Sequence, residues 1–208
     1  MEDVLDLYEE DYDAQYPTVC LDEKPVVLHA DVRPSLPPIP GTPQRIDYEY
    51  ERRGTRNLFF VVEPLAGWRH VEVTQQRTKQ DYAQIVRWLV DEVYPHVEYI
   101  RLVQDNLNTH TAAALYEAFP PSEARRILQR IEFHYTPKHG SWLNMAEIEI
   151  GIFEQNALSR RLEDEAMLRR HVLALETERN AQHRLISWRF TSRDARTKLE
   201  DLYPIKET

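Results

Sequence analysis

Apolar and polar positions alternate along several short stretches of the chain, which predicts β-strands with one buried face. Two β-rich runs flank "PLAGW" and predict a hairpin whose turn residue is Gly67. The remaining runs predict three more strands, and we expect the first of them to be broken or bulged near Pro25. The predicted strand regions are Thr18–Ala30, the hairpin Asn57–Thr74, Tyr99–Asn106 and "EFHYTP".

Helical spacing of apolar residues fills most of the intervals between these strands. Pro95 ends one such segment, and Pro120 and Pro121 separate two short ones. "RPSLPPIPGTP", at Arg33–Pro43, holds five prolines and predicts an ordered loop or an extended crossing segment. The predicted helices are Met1–Tyr8, Lys79–Tyr94, "THTAAALYEAF", "PSEARRILQRI", Leu143 to about Arg161, Asp164–Gln182 and at least one turn in "SWRFTSRDARTKLEDLYP". This order predicts an α/β fold with a mixed five-stranded sheet flanked by helices.

Charge is distributed unevenly along the 208 residues. The net charge is −9, and the first 31 residues carry all of it, with ten acids and one lysine. The remaining residues hold 25 acids and 25 bases, so the body of the protein is neutral and is no strongly basic DNA-binding module. The single cysteine excludes an intramolecular disulfide and a multi-cysteine zinc site. No apolar run approaches the roughly 18 residues of a membrane span, and the acidic start lacks a signal-peptide pattern.

Three acids have contexts that suggest chemistry. Asp22 lies inside the first strand, Asp105 lies at the end of "IRLVQD", and Glu147 lies one turn into the helix after "HYTP". Ligands bind at the ends of neighbouring strands in α/β sheets, so the three carboxylates are candidates to converge there. Close carboxylates repel one another unless a cation lies between them. Mg²⁺ prefers such oxygen ligands, and two ions can promote in-line displacement at phosphorus.

Each acid also has a plainer interpretation. "DEK" around Asp22 is compatible with an exposed strand end or a turn. Asp105 and Asn106 together are compatible with an Asx-turn that ends the strand. Glu147 is compatible with a solvated acid in the first turn of a helix, where the helix dipole stabilises it. The sequence pattern alone leaves these alternatives open.

Five motifs in order make the chain resemble the DDE catalytic domain of bacterial insertion-sequence transposases in the mariner superfamily. They are "VCLDEKPVV", "RRGTRNLFFVVEPLAGWR", "RLVQDNLNTH", "HYTPKHGSWLNMAEIE" and "WRFTSRDARTKLEDLYP", which together cover about Pro17 to Pro204. The resemblance implies an RNase H-like (ribonuclease H/integrase-type) fold. It also implies DNA cleavage and strand transfer with two bound Mg²⁺ or Mn²⁺ ions.

The resemblance assigns the catalytic and metal-binding acids to Asp22 in "LDE", Asp105 in "QDN" and Glu147 in "SWLNMAE". Ser141 and Met145 stand where related elements often have proline. Full-length relatives carry N-terminal helix-turn-helix domains that recognise the element ends, whereas Asp22 lies about twenty residues from Met1. We therefore expect recognition to come from a separate domain or protein.

Polar and basic residues near these acids are candidate DNA contacts. Asn106, Asn108 and His110, which follow Asp105, would orient Asp105 or touch the scissile phosphate. The alternative is that Asn108 or Thr109 caps the next helix. Those around Gly140 and Gly54 would contact phosphates or an unstacked base, with a packed Trp142 and a solvated arginine cluster as alternatives. A zinc site at His134 and His139 lacks a third ligand. The candidate contacts are Asn106, Asn108, His110, Lys138, His139, Trp142, Arg52, Arg53 and Arg56.

We expect three segments in the chain: an acidic lead-in at 1–16, a catalytic domain at 17–186 and a tail at 187–208 that packs on the domain or on a partner subunit. The leading hypothesis is a cytoplasmic, nucleoid-associated transposase that acts on element-end and target DNA, with a possible homodimer. The alternatives are a non-catalytic DNA-binding or oligomerisation module and a stand-alone nuclease for RNA–DNA hybrids.

Glu147 and Glu149 project about 200° apart on a helix, so only one of them can face the strand ends. Glu147 lies beside the expected buried stripe Leu143, Ala146, Ile150 and Phe153. We expect Glu149 to face solvent or a neighbouring element, and Glu149→Gln to be mild where Glu147→Gln is inactivating.

Overall fold

A mixed sheet of five strands organises the protein. The computed structural model describes residues 1–33, 49–138 and 140–203, so most of the proline-rich segment lies outside the described residues. The strand order is β3-β2-β1-β4-β5; β1, β2 and β3 pair antiparallel, whereas β4 lies parallel to both β1 and β5. The predicted mixed five-stranded sheet is therefore confirmed. The strands are β1 (Thr18–Asp31), β2 (Tyr50–Glu63), β3 (Trp68–Thr74), β4 (Ile100–Gln104) and β5 (Ile131–Tyr135).

The irregularity in β1 lies beyond Pro25, which pairs in register with Asn57. Strand β1 pairs with β4 only over Thr18–Cys20. Past that point no strand of the described residues pairs with one edge of β1, and a residue without an N–H is tolerated on such an edge. The register shifts between Val27 and His29 instead. There the His29 amide leaves the ladder and donates to the Leu162 carbonyl at 2.8 Å.

Helices follow most of the predicted segments. The helix that carries Glu147 ends at Asn156, short of the predicted Arg161, because the Ala157 and Leu158 amides both bond the Phe153 carbonyl and the chain turns towards β1. The helices are α1 (Glu2–Glu9), α2 (Lys79–Trp88, continued by a π-helical turn at Leu89–Val93), α3 (Ala112–Ala118), α4 (Pro121–Leu128), α5 (Ala146–Asn156, after a 3₁₀ turn at Ser141–Leu143), α6 (Glu165–Ala181) and α7 (Ser192–Lys198, before a 3₁₀ turn at Glu200–Leu202).

Each face of the sheet has its own hydrophobic core, because successive strand residues point to opposite sides. Leu21 and its neighbours on one face pack against α2, α3 and α4. Cys20 and its neighbours on the other face pack against α1, α5, α6 and α7. The parity of a strand residue therefore decides which helix layer its side chain meets.

The acidic N-terminal helix and the C-terminal tail lie together on the second of these faces. Glu2 pairs with Arg196 at 2.7 Å, and the Ser192 amide donates to Glu9 at 3.1 Å. Trp188 packs on the Tyr8 ring, with 5.3 Å between ring centroids. The division at residues 16 and 186 stays a prediction. No helix in the described parts of the chain is long and apolar enough to cross a membrane.

Candidate active site

Asp22 lies on the α5 face of the sheet, two residues after the buried Cys20. Cys20 is the last β1 residue paired with β4, so within the described residues no strand pairs with this edge of β1 at Asp22. Oδ1 of Asp22 accepts the Glu23 amide at 2.8 Å, and Oδ2 of Asp22 accepts the Asn144 side-chain amide at 3.2 Å. Asn144 also donates to the Leu21 carbonyl at 2.8 Å, which ties the start of α5 to β1.

Asp105 directly follows β4, and two residues before it Val103 points to the same core as Cys20. The two aspartates therefore lie on one face of adjacent parallel strands, near the point where β1 and β4 separate. The Asp105 side chain is 29% exposed, and its Oδ1 bonds Nδ1 of His110 at 2.6 Å.

Glu147 approaches the same place from α5. It is exposed in the first turn of that helix, whereas Leu143, Ala146, Ile150 and Phe153 are buried as predicted. Packing of this stripe on the sheet sets the rotation of α5, and that rotation leaves Glu147 on the side of β1.

The raised pKa of Asp22 shows that the other two acids lie close enough to act on it. Burial raises this pKa most, and the negative charges of Glu147, Asp105 and Glu23 raise it further, to about 7. The hydrogen bond from the Glu23 amide acts in the opposite direction. All three predicted acids therefore belong to one electrostatic neighbourhood.

His110 links Asp105 to a fourth carboxylate, Glu23. The His110 side chain is fully buried, and its Nε2 lies 2.8 Å from Oε1 of Glu23, whose side chain is 3% exposed. Burial alone lowers the pKa of His110, but the hydrogen bonds to Asp105 and Glu23 outweigh it and raise the pKa to about 9. The imidazolium then donates from both nitrogens. His110 is therefore buried rather than on the surface, and its bond to Asp105 suits the orienting role expected from the sequence; that role stays a prediction.

Glu23 is the residue of this cluster that the sequence pattern misses. "DEK" is compatible with an exposed strand end, yet the parity of β1 puts Glu23 on the same side as the buried Leu21. Tyr82 also lies there, with its ring 4.9 Å from that of His110. The available signal was the two-residue period of β1, which places Asp22 and Glu23 on opposite faces.

The donor set of this site fits a hard divalent cation. It consists of carboxylate oxygens, which Mg²⁺ prefers, and a cation would relieve the repulsion that raises the pKa of Asp22. Among residues 1–33, 49–138 and 140–203, no group of three or more His, Cys, Asp or Glu side chains is already arranged around a metal position. The three acids are thus neighbours rather than a preformed cage.

A cleft of about 360 Å³ opens beside Asp105. Asn106 and Lys138 line it and are exposed, and Asn108 is exposed nearby. Helix α3 is preceded by Thr111 without a side-chain cap, so the capping alternative for Asn108 and Thr109 is wrong. His139 lies outside the described residues. The roles of Asn106, Asn108 and Lys138 as DNA contacts stay predictions.

Trp142 is 43% exposed and packs on the tail. Its ring stacks on that of Trp188 at 6.2 Å and meets Phe190 edge-on at 5.5 Å. This is the packing alternative, although the remaining exposed surface leaves base stacking open.

The three arginines near Gly54 lie on the part of β2 that pairs with the end of β1. Arg56 pairs with Glu165 at 2.5 Å and Arg53 with Glu51 at 2.8 Å, while Arg52 is exposed. Two of the three are thus engaged with acids. Their role as DNA contacts stays a prediction.

Glu149 faces a neighbouring element and is fully buried. Its Oε1 accepts from Arg69 of β3 at 3.1 Å, and its two oxygens accept from Arg179 of α6 at 2.5 and 2.8 Å. Arg69 is itself fully buried and also bonds the Gly67 carbonyl. Because Glu149→Gln would take the carboxylate partner from a buried guanidinium, the structure leads us to expect destabilisation rather than the mild effect predicted from the sequence.

The sheet order, the two helix layers and the acids near the β1–β4 junction define an RNase H-like domain. A family model described as DDE superfamily endonuclease matches residues 17–169, and the chain belongs to this family. Comparison with curated proteins finds no match.

Solved structures of Mos1 share the fold. The Mos1 mariner paired-end complex with Mn matches with a TM-score of 0.57 and 15% identity, over 88% of this chain and 57% of that one. A pre-cleavage Mos1 transpososome matches with a TM-score of 0.52 and 16% identity, over 87% and 58%. The chain therefore spans less than two thirds of the length of these proteins. The similarity confirms the predicted RNase H-like fold.

Proposed function

We propose that this chain is the catalytic domain of a mariner-like transposase from a bacterial insertion sequence. It would cleave DNA at the element ends and transfer the freed 3′ end to target DNA, with Mg²⁺ or Mn²⁺. The observation that carries the proposal is that Asp22 has Asp105 and Glu147 as charged neighbours: burial first, and then the negative charges of these acids, raise the pKa of Asp22 to about 7. Membership of the endonuclease family supports the same chemistry.

In this proposal Asp22, Asp105 and Glu147 hold the metal. Bound divalent ions would activate the attacking water or 3′-hydroxyl and stabilise the leaving oxygen. Asn144 holds Asp22 and the start of α5 together through its side-chain amide. His110 fixes the orientation of Asp105, and Glu23 fixes that of His110.

The proposed partners are element-end DNA, target DNA and a second copy of the chain. The similar solved proteins are described as a paired-end complex and a transpososome, which supports DNA binding and pairing. A helix-turn-helix domain, within a longer chain or on another protein, would supply end recognition. The proposed place of action is the bacterial nucleoid in the cytoplasm.

The test is cleavage of DNA that carries the sequences flanking the gene, with Mg²⁺ or Mn²⁺ added. We expect metal-dependent nicking that Asp105→Asn abolishes. Asp91→Asn is the matched control, because Asp91 is an acid on α2's π-helical extension that pairs with Arg126 away from the site. Full cleavage by Asp105→Asn would refute the assignment.

Two further measurements separate the alternatives. Calorimetric titration without saturable binding of Mg²⁺ or Mn²⁺ would favour a non-catalytic module. Cleavage of an RNA–DNA hybrid in preference to duplex DNA would favour a stand-alone nuclease.

A further inference from the structure

A second groove lies beside β1, on the same face of the sheet as the three acids. It has a volume of about 360 Å³ and runs between β1 and the segment that joins α5 to α6. Its polar walls come from Lys24 and His29 of β1, Glu154 of α5 and Arg160 of the joining segment. The catalytic proposal assigns no role to this groove.

The groove continues the candidate active site. Lys24 follows Asp22 by two residues, so both project from the same face of β1. Glu154 follows Glu147 by seven residues, which is about two turns, or roughly 10 Å along α5. Between them a Cβ on Gly151 would meet nothing within 4 Å, so the surface of α5 is open there. A strand of nucleic acid can thus lie along β1 from the acids to the groove.

The cations of the groove outnumber its acids. Lys24 pairs with Glu154 across the groove. Arg160 in the joining segment and Arg170 in α6 are both exposed. Within the described parts of the chain, neither forms an ion pair with an acid. Both lie near His171: burial lowers the pKa of this histidine first, and the charges of the two arginines lower it further.

Arg52 adds a cation at the far end of the groove. It lies directly opposite His29 in the β1–β2 register, and residues paired in this way project from the same face of the sheet. Arg52, which is exposed, thus lies beside the groove wall at His29. The groove and its cations therefore follow the direction of β1, and an elongated site of this kind suits a polyanionic strand.

We propose that the groove binds the sugar–phosphate backbone of the DNA strand that leaves the candidate active site, with Arg160 and Arg170 on phosphates and Lys24 exchanging Glu154 for a phosphate. The inference rests on the proposed function, since it takes DNA as the substrate. It adds a binding site on the side of the acids away from the Asp105 cleft.

The first test is equilibrium binding of a fluorescein-labelled DNA duplex of mixed sequence, without metal, by anisotropy. Each lost phosphate contact lowers the slope of log K against log salt by about 0.9. Between about 50 and 200 mM salt, affinity should therefore fall about threefold less for Arg160→Ala, and about tenfold less for the Arg160→Ala/Arg170→Ala double variant, than for the wild type. Arg125→Ala, an exposed arginine on α4 across the sheet, should behave as the wild type.

The second test has the opposite sign. Glu154→Gln removes the acid and frees Lys24, so DNA binding should tighten and the salt slope should rise by about 1. Weakening by Arg160→Ala no greater than that by Arg125→Ala, or unchanged binding by Glu154→Gln, would overturn the proposal. Far-UV circular dichroism confirms that each variant is folded.

Cleavage is measured separately from binding. If Asp105→Asn still cleaves DNA while Arg160→Ala weakens binding as expected, the catalytic proposal fails and the groove stands. If Asp105→Asn is inactive and the arginine variants bind normally, the groove assignment fails alone.

Discussion

Two clusters of charge flank α5, and they are built in opposite ways. Around Glu149, one carboxylate is held by two guanidinium groups, and both Glu149 and Arg69 are fully buried. Around Asp22, four carboxylates lie close together, and the imidazole of His110 bonds only two of them, Asp105 and Glu23. Glu149 of the first cluster and Glu147 of the second are only two residues apart in the sequence.

The difference separates a structural cluster from a candidate functional one. A buried charge is tolerated when paired and hydrogen-bonded, which the arginine cluster achieves with protein groups alone. The carboxylate cluster stays short of positive charge, so burial and mutual repulsion raise the pKa of Asp22 to about 7. Its opening at Asp105, which is 29% exposed, gives an external cation access. An excess of one sign beside an open edge thus indicates a ligand of the opposite sign.

Glu147→Gln should have the largest effect on activity. Glutamine keeps the shape of the side chain but removes the charge that would bind metal. We expect cleavage to fall by at least about a thousandfold, which is about 4 kcal/mol of barrier. The free energy of unfolding should stay near that of the wild type, because Glu147 is exposed. Cleavage assays and urea unfolding measure the two quantities. Full cleavage by Glu147→Gln would contradict the catalytic role of the carboxylate cluster.

Glu149→Gln should show the reverse pattern. It leaves the buried Arg69 guanidinium without its carboxylate partner and bonded to neutral groups such as Asn180, and we expect about 3–5 kcal/mol of destabilisation. Urea unfolding measures this loss. Glu154→Gln is the matched control on the same helix, because Glu154 is exposed. A loss no larger than that of the control would mean that the arginine cluster stabilises the fold little.

Short-range rules make the three acids candidates in the sequence, and the resemblance to the transposases assigns them. Asp22 is placed by the two-residue period of β1, Asp105 by the end of β4, and Glu147 by the stripe that α5 buries. These features need only neighbours along the chain and the general tendency of strand ends to bind ligands.

The partners of those acids could not be predicted, because they come from distant elements. Arg69 reads as a polar position in β3, and nothing local pairs it with Glu149 eighty residues later or brings Arg179 to both. The predicted end of α5, at about Arg161, is wrong for a related reason. No breaker follows Asn156, yet the Leu162 carbonyl is drawn to the His29 amide of β1, and the helix ends early.

His110→Gln should weaken metal binding through Asp105 rather than directly. Glutamine cannot supply two charged donors to Asp105 and Glu23, so Asp105 loses its fixed orientation. We expect a loss of about 10–100-fold in metal affinity, typical of groups that orient a ligand. Calorimetric titration with Mn²⁺ measures it. His134→Gln, outside the site, should bind metal normally. Equal affinities for both variants would show that His110 does not position Asp105.

Asp22→Asn should give the smallest of these effects, a change in the free energy of unfolding measured without metal. The change should be visible only above acidic pH. The folded-state pKa of Asp22, about 7, lies above its ordinary value of 3.8. The stability contributed by this carboxyl is therefore present below about pH 4 and is lost as the pH rises through about 7. In EDTA at pH 8, Asp22→Asn should be more stable than the wild type by about 1–2 kcal/mol, after loss of the Asn144 hydrogen bond, with little difference near pH 4. Urea unfolding at both values measures this.

Asp194→Asn is the control of opposite sign. Hydrogen bonds from the Thr191 amide and hydroxyl hold the pKa of Asp194 below its ordinary value. This variant should therefore be less stable than the wild type at pH 8 and approach it at acid pH, because the contribution of a carboxylate with a lowered pKa is lost as the pH falls. Added Mg²⁺ should stabilise the wild type and the Asp194 variant but not Asp22→Asn, because only the folded protein with all three acids binds the ion. If Mg²⁺ stabilised Asp22→Asn as much as the wild type, Asp22 would not be a metal ligand. The carboxylate cluster would then no longer differ from the arginine cluster by binding a cation.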